Sequence, residues 1–137
     1  MERIVGIDYG TKRTGVAVSD PLQIFASPLD TVPSAGIIAF LKNYTRKERV
    51  TLFIVGYPLD LHNRPAEAAK YVDQFLNLLK KNFPDIQVLK EDERFTSKLA
   101  FQSLIDSGVS KSGRRDKSAI DKVSAAIILQ TYLDKRK

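Results

Sequence analysis

The run Thr51-Leu52-Phe53-Ile54-Val55-Gly56 limits the fold more than any other segment of the chain. It shows no apolar/polar alternation, so as a strand it must be covered on both faces, which is the condition of a central strand in a parallel or mixed sheet. Tyr57-Pro58 ends it: the residue before a proline stays extended, and Pro58 has no N–H to continue the ladder. Such a strand needs crossover helices on either side in sequence, and both are legible. Ser34 is a suitable cap for a helix from about Ala35 to Lys47 with Ile37, Phe40, Leu41 and Tyr44 on one face. Pro65 suits the first turn of a second helix, in which Ala69, Val72, Phe75, Leu76 and Leu79 repeat at helical spacing up to Asn82-Phe83-Pro84.

The segments before the first helix read as strands. Residues 3–8 are β-branched and short, the turn Tyr9-Gly10-Thr11-Lys12 follows, and Arg13 to Asp20 returns as a hairpin partner. A third extended piece covers Gln23 to Val32, between Pro21 and Pro33. Beyond the second helix, Ile86–Glu91 is a strand, Thr96 caps a helix to about Asp106 that Gly108 ends, and the last helix carries Ile120, Val123, Ala126, Ile127 and Leu129 to Leu133. The order β-β-β-α-β-α-β-α-α predicts an α/β fold, a mixed five-stranded sheet flanked by helices. With 137 residues and 43% hydrophobic content, one domain over 1–137 is expected.

Composition narrows the chemistry. There is no cysteine, which removes disulfides, thiolate zinc sites and cysteine nucleophiles and agrees with a reducing compartment. The chain enters its first strand with no signal-like segment ahead of it, and its longest apolar runs are about five residues against the roughly 20 that span a bilayer. A cytoplasmic protein with no membrane partner is expected. The formal charge of +6, from 22 Lys+Arg against 16 Asp+Glu, makes phosphate-bearing partners plausible.

In sheets of this kind functional groups gather beyond the carboxyl ends of the parallel strands. Three acidic places qualify. Asp8 ends the first strand between Gly6 and Gly10, glycines that could leave room for a substrate backbone; it either caps the hairpin turn or binds a hard metal ion. Asp92-Glu93 follows the fifth strand, where acids also favour a helix N-terminus. Both lie past the expected strand end, so alternation does not choose between them; Glu93 is preferred and Asp92 kept as its substitute. Asp121 opens Asp121-Lys122-Val123-Ser124-Ala125-Ala126, either solvated in a first turn or facing the sheet, with Ser124 and Ala125 small enough for close approach. Converging carboxylates of this type suit Mg²⁺ or Mn²⁺.

Around the acids stand Lys12, Arg13, Arg94 and the run containing Lys111, Arg114, Arg115 and Lys117, read as phosphate contacts in preference to a solvated surface. Tyr9 and Tyr57 either stack on bases or pack at the rim. His62, the single histidine, reads as solvated, which argues against a Ser-His-Asp hydrolase.

Taken together, Gly6 to Asp20 (GIDYGTKRTGVAVSD), Val55-Gly56-Tyr57-Pro58-Leu59, Asp92-Glu93-Arg94-Phe95-Thr96 and Asp121 to Gln130 (DKVSAAIILQ) resemble the YqgF family, also called RuvX, along the whole chain. The resemblance implies a ribonuclease H-like fold and a bacterial cytoplasmic nuclease that processes the 5′ end of the small-subunit ribosomal RNA precursor, with Holliday junction resolution as the alternative. It places the acidic positions at Asp8, the Asp92-Glu93 pair and Asp121. One stretch departs from the family: Asp60-Leu61-His62-Asn63-Arg64-Pro65 lacks the glycine-containing turn expected there. Branched DNA would require a symmetric dimer, whereas a monomer suffices for RNA. A sugar-kinase-like ATPase, which Asp8 to Lys12 also suggests, needs two such domains and does not fit the length. A non-catalytic nucleic-acid-binding module is the remaining alternative.

Overall fold

A computed structural model describes residues 2–59, 62, 66–93, 102 and 117–136. Strands β1 (Arg3–Tyr9), β2 (Arg13–Ser19) and β3 (Ala26–Pro33) form an antiparallel meander. Helix α1 (Ile37–Lys47), strand β4 (Val50–Tyr57), helix α2 (Ala69–Asn82), strand β5 (Gln87–Asp92) and helix α3 (Lys117–Lys135) follow. The sheet order is β3-β2-β1-β4-β5, with β1, β4 and β5 parallel. The mixed five-stranded sheet matches expectation. The helix expected from Thr96 to Asp106 lies outside the described residues, as do Arg94, Lys111, Arg114, Arg115 and most of the 60–65 stretch. Of Lys117 only the backbone, at the start of α3, is described. Among the described residues no helix is long and apolar enough to cross a membrane.

β4 is the strand its sequence demanded. Phe53 and Val55 pack under α1 and α2, with Val5, Ile7, Ile37, Leu41, Phe75 and Leu79. Leu52 and Ile54 face α3, with Ile4, Ala17, Ala125, Ile128, Leu129 and Leu133. Each such side chain, fully buried, contributes about 1.5–3 kcal/mol of transfer free energy, so the two faces hold α1/α2 and α3 independently. Basic residues close both crossover helices, Arg46 and Lys47 in α1 and Lys80 and Lys81 in α2, where the helix dipole favours them.

Three elements begin more than one residue later than expected, each for a local reason. β3 begins at Ala26 instead of Gln23, because the Asp20 carboxylate accepts the N–H groups of Phe25 (2.7 Å), Ile24 (2.9 Å) and Leu22 (3.1 Å) and coils the chain into a loop, with Gln23 at φ 59°. Those bonds, Phe25's first, hold the Asp20 carboxyl below its usual range. Ser34 does not cap α1. Its hydroxyl donates to the Gly10 carbonyl and lies 2.7 Å from Thr14 Oγ1, so it ties the end of β3 to the β1–β2 turn, and a 3-10 turn over Ser34–Gly36 leads into the helix. α2 begins at Ala69 and not near Pro65; turns through Ala66 and Ala68 precede it, with the Ala66 N–H bonded to the Pro58 carbonyl at 2.9 Å.

α3 lies unusually close to the sheet. A Cβ on Gly6 would stand 2.7 Å from Leu129 Cβ and 2.9 Å from the Ala125 carbonyl oxygen. The room expected at Gly6 for a substrate is therefore filled by the protein's own helix, and that at Gly10 by the Arg13 carbonyl, 2.6 Å from where a Cβ would be. Replacing Gly6 with Val forces α3 outward along its length. The expected result is a loss of about 1–3 kcal/mol in unfolding free energy, measured by urea denaturation, with the largest increase in hydrogen exchange in α3.

Candidate active site

Strand alternation sorts the acids. In β1, Ile4, Gly6 and Asp8 point to the α3 face, while Val5, Ile7 and Tyr9 point to α1 and α2. In the sheet, Asp8 stands opposite Gly15 of β2. The parallel register that pairs Gly6 with Ile54 and Ile7 with Val55, carried one residue further, brings Gly56 of β4 to its other side. Asp8 thus sits between two residues without side chains, and each vacancy is used.

The vacancy at Gly56 receives Glu93. A Cβ there would lie 2.7 Å from Glu93 Oε2. β5 runs to Asp92, which pairs with Tyr57, and the Glu93 N–H continues the ladder by donating to the Tyr57 carbonyl at 3.2 Å. Alternation therefore does decide between the two acids, contrary to the expectation that both lie beyond the strand. Glu91 and Glu93 face α3, whereas Asp92 is exposed and turned to the other face. Glu93 is the residue brought to Asp8, and the two carboxyl groups are hydrogen-bonded to each other.

The vacancy at Gly15 receives the backbone of Asp121, whose carbonyl oxygen lies 2.0 Å from the position of a Cβ. This fixes the first turns of α3 beside Asp8. Ser124 and Ala125, the small residues on the same face, are fully buried. The Asp121 carboxylate accepts a hydrogen bond from Arg13 Nε at 2.8 Å. Lys12 is exposed in the same hairpin turn.

Burial and like charge set the protonation of the pair. The Glu93 carboxyl is pushed up to about 9, first by burial, then by the Asp8 charge and its hydrogen bond, with Asp92 adding to the rise. Burial also raises Asp8; the hydrogen bond from Glu93 opposes this and the Asp121 charge adds to it. Two half-buried carboxyls in contact cannot both ionise cheaply. The pair therefore favours a state in which the two carboxyls share one proton.

A proton between two inward-facing carboxyls marks a place where a cation satisfies both, and an all-oxygen donor set suits a hard divalent ion. Asp8 and Glu93 fit such an ion. Among the described residues, no group of three or more His, Cys, Asp or Glu side chains is placed to hold one; the Asp121 carboxylate is bonded to Arg13.

The aromatic candidates lie on the opposite face. Tyr9 stacks on Phe75 with ring centroids 4.4 Å apart, and the Tyr57 hydroxyl donates to Asp73 at 3.1 Å while Lys90 Nζ sits 4.4 Å over its ring. Both serve packing at the α2 side. Sequence reasoning missed the roles of Gly15 and Gly56, whose signal lay in their register with Asp8. It also missed the buried Glu91, which pairs with Lys135 near the end of α3.

The RuvX family model, described as Holliday junction resolvase, matches residues 2–135. A curated relative from Amoebophilus asiaticus is 50% identical over 137 residues, covering 100% of this chain and 97% of its own. One from Flavobacterium johnsoniae is 47% identical, covering 100% and 99%. Both are named, provisionally, pre-16S rRNA nuclease. Among solved structures, Thermus thermophilus RuvC in complex with a Holliday junction substrate matches with a TM-score of 0.58 at 20% identity, over 99% of this chain and 96% of that one. That likeness is one of fold, and it bears out the expected ribonuclease H-like α/β architecture.

The shared proton makes stability depend on pH. In metal-free protein Glu93 keeps its proton up to about 9, whereas an unfolded glutamate loses it near 4.5. The folded state binds more protons between those values, so this contribution is complete below 4.5 and is lost as pH climbs through about 9. With EDTA present, the unfolding free energy is expected to decline across that window. Glu93→Gln keeps a hydrogen-bond donor that cannot ionise and should flatten the decline; an unchanged slope would contradict the shared proton.

Proposed function

The chain belongs to the RuvX family, and from that membership we propose that it is a metal-dependent nuclease that processes the 5′ end of the pre-16S ribosomal RNA. The observation that carries the reading is the Asp8–Glu93 carboxyl pair, hydrogen-bonded over Gly56 at the ends of the parallel strands with Asp121 beside it. This arrangement is costly for stability alone, because it buries two carboxyls of which only one can ionise cheaply. It is suited to a divalent cation.

Asp8 and Glu93 would hold Mg²⁺ or Mn²⁺, with Asp121 as a third ligand; Asp92, turned to the other face, would take no part. Bound there, the ion supplies Lewis acidity toward a phosphate and lowers the pKa of a bound water. The protein's own part is position and charge. Both carboxylates of the pair become available as ligands only when the Glu93 proton has left. The Glu93 side chain, two residues beyond Glu91 that pairs with Gly56, reaches back over that glycine toward Asp8, and the backbone of Asp121 is seated on Gly15 at the start of α3. Lys12 and Arg13, with Arg94, Lys111, Arg114, Arg115 and Lys117, would take the flanking phosphates, so binding should weaken as salt rises and depend little on sequence.

The description of the family model favours a second reading, resolution of Holliday junctions with the same carboxylates. That activity needs two sites arranged symmetrically, hence a dimer, whereas trimming an RNA end needs one site on a monomer.

Cleavage of a pre-16S RNA fragment, a four-way DNA junction and a DNA duplex, each with Mg²⁺ or Mn²⁺, separates these readings. The RNA precursor is expected to be cut at its 5′ side, and Asp8→Asn to reduce cutting to background without lowering thermal stability. Preferential, paired cutting of the junction would establish the second reading. Undiminished cutting by Asp8→Asn would remove the acidic pair from the chemistry altogether.

A further inference from the structure

Arg13 makes a contact that simple phosphate binding does not require. It opens β2 on the face of Gly15 and Ala17, and its Nε holds Asp121 Oδ2 at 2.8 Å across 108 residues of chain. The Asp121 backbone is fixed by its fit over Gly15, so its carboxylate can change partner by side-chain rotation alone. Asp121 is near enough to raise the Asp8 carboxyl by its charge, yet it does not join Asp8 and Glu93 in a group placed to hold one ion. Two carboxyls share a proton, and the third is held by a guanidinium.

We propose that Arg13 is a positioning residue that exchanges partners: without nucleic acid it holds Asp121, and when a phosphodiester arrives its guanidinium turns to the phosphate and frees Asp121 to complete the divalent-cation site. The exchange rests on the nuclease reading and specifies how the site is assembled. Carboxylate and phosphate both match the planar fork of arginine, so either serves as partner. The side chains of the pair are 41% and 21% exposed. A pair so open to solvent is screened and weak, and it yields to a phosphate that also carries the field of its polymer. Because linkage is reciprocal, the cation tightens nucleic-acid binding by the factor by which nucleic acid tightens the cation. The cation site would then be complete only where there is a substrate.

The test is Mn²⁺ affinity of the full chain by calorimetry, with and without a saturating short phosphorothioate single strand, checked intact on a gel and corrected for its own Mn²⁺ uptake. The strand should tighten Mn²⁺ binding to the wild type about tenfold or more, the scale on which an added ligand or its support acts. Arg13→Ala should bind Mn²⁺ at the tightened level without the strand and gain little from it, Arg13→Lys should fall between, and Asp121→Asn should show no gain. Lys122→Ala removes the same charge next to Asp121 and should change affinity by no more than about twofold, as a screened charge does. If Arg13→Ala binds Mn²⁺ no tighter than the wild type, or Lys122→Ala matches its effect, the exchange is overturned. If Asp8→Asn binds Mn²⁺ as the wild type does, the nuclease reading itself falls; if Asp8→Asn loses Mn²⁺ and Arg13→Ala is unchanged, only the exchange does.

Discussion

The seating of α3 on a strip of missing side chains is the constraint from which the site follows. A helix on a sheet normally rides on the side chains of both, about 10 Å away from the strands. Here Gly6 admits Leu129 and the Ala125 carbonyl, and Gly15 admits the carbonyl of Asp121. Close approach at two strands fixes both the height and the axial position of the helix, and with them the place of Asp121 beside Asp8. The proposed chemistry draws on three carboxylates, the first and last of them more than a hundred residues apart in the chain, and glycine hollows bring the third one in without a flexible arm.

That approach has an electrostatic cost. Ionised together, Asp8 and Glu93 would repel each other where water screens them poorly, and the Asp121 charge adds to this at Asp8. The structure offsets the repulsion twice, with a proton between Asp8 and Glu93 and with the Arg13 guanidinium on Asp121. Both put positive charge on carboxylates that a divalent ion would take in the proposed loaded state. The proton and the guanidinium thus cancel most of the cluster's charge, which is how the fold keeps such a cluster without a ligand.

Much of this was legible in the residues. The two-sided burial of Leu52 to Val55, the hairpin, both crossover helices and the three acidic places follow from periodicity and from the high cost of a carboxylate in an apolar strand. What was not legible depends on register. Ser34 looks like a cap until its hydroxyl is found bound to Gly10 and Thr14, partners that only the hairpin brings near. Asp92 and Glu93 could not be told apart because the choice turns on whether β5 ends one residue sooner or later. Gly15 and Gly56 look like ordinary strand glycines until they are seen to flank Asp8.

Register is also the quantity that the rest of β5 protects. A slip of one residue would turn Asp92 toward α3 in place of Glu93, and the shorter side chain would not reach as far across the hollow at Gly56. The same slip would carry Lys90 into the apolar α3 face, and Leu89 and Glu91 out of it. Leu89 packs among the α3-facing residues, Val88 packs with the opposite cluster, and Glu91, buried, is bonded to Lys135 near the far end of α3. A charged pair at that position adds little net stability, since desolvation offsets much of the attraction. Its value is that a one-residue slip leaves Glu91 without Lys135 and the α3 face with an unmatched Lys90. The Glu91–Lys135 pair therefore acts on the active site from outside it, by making the register that delivers Glu93 to Asp8 the one in which all of β5 is satisfied at once.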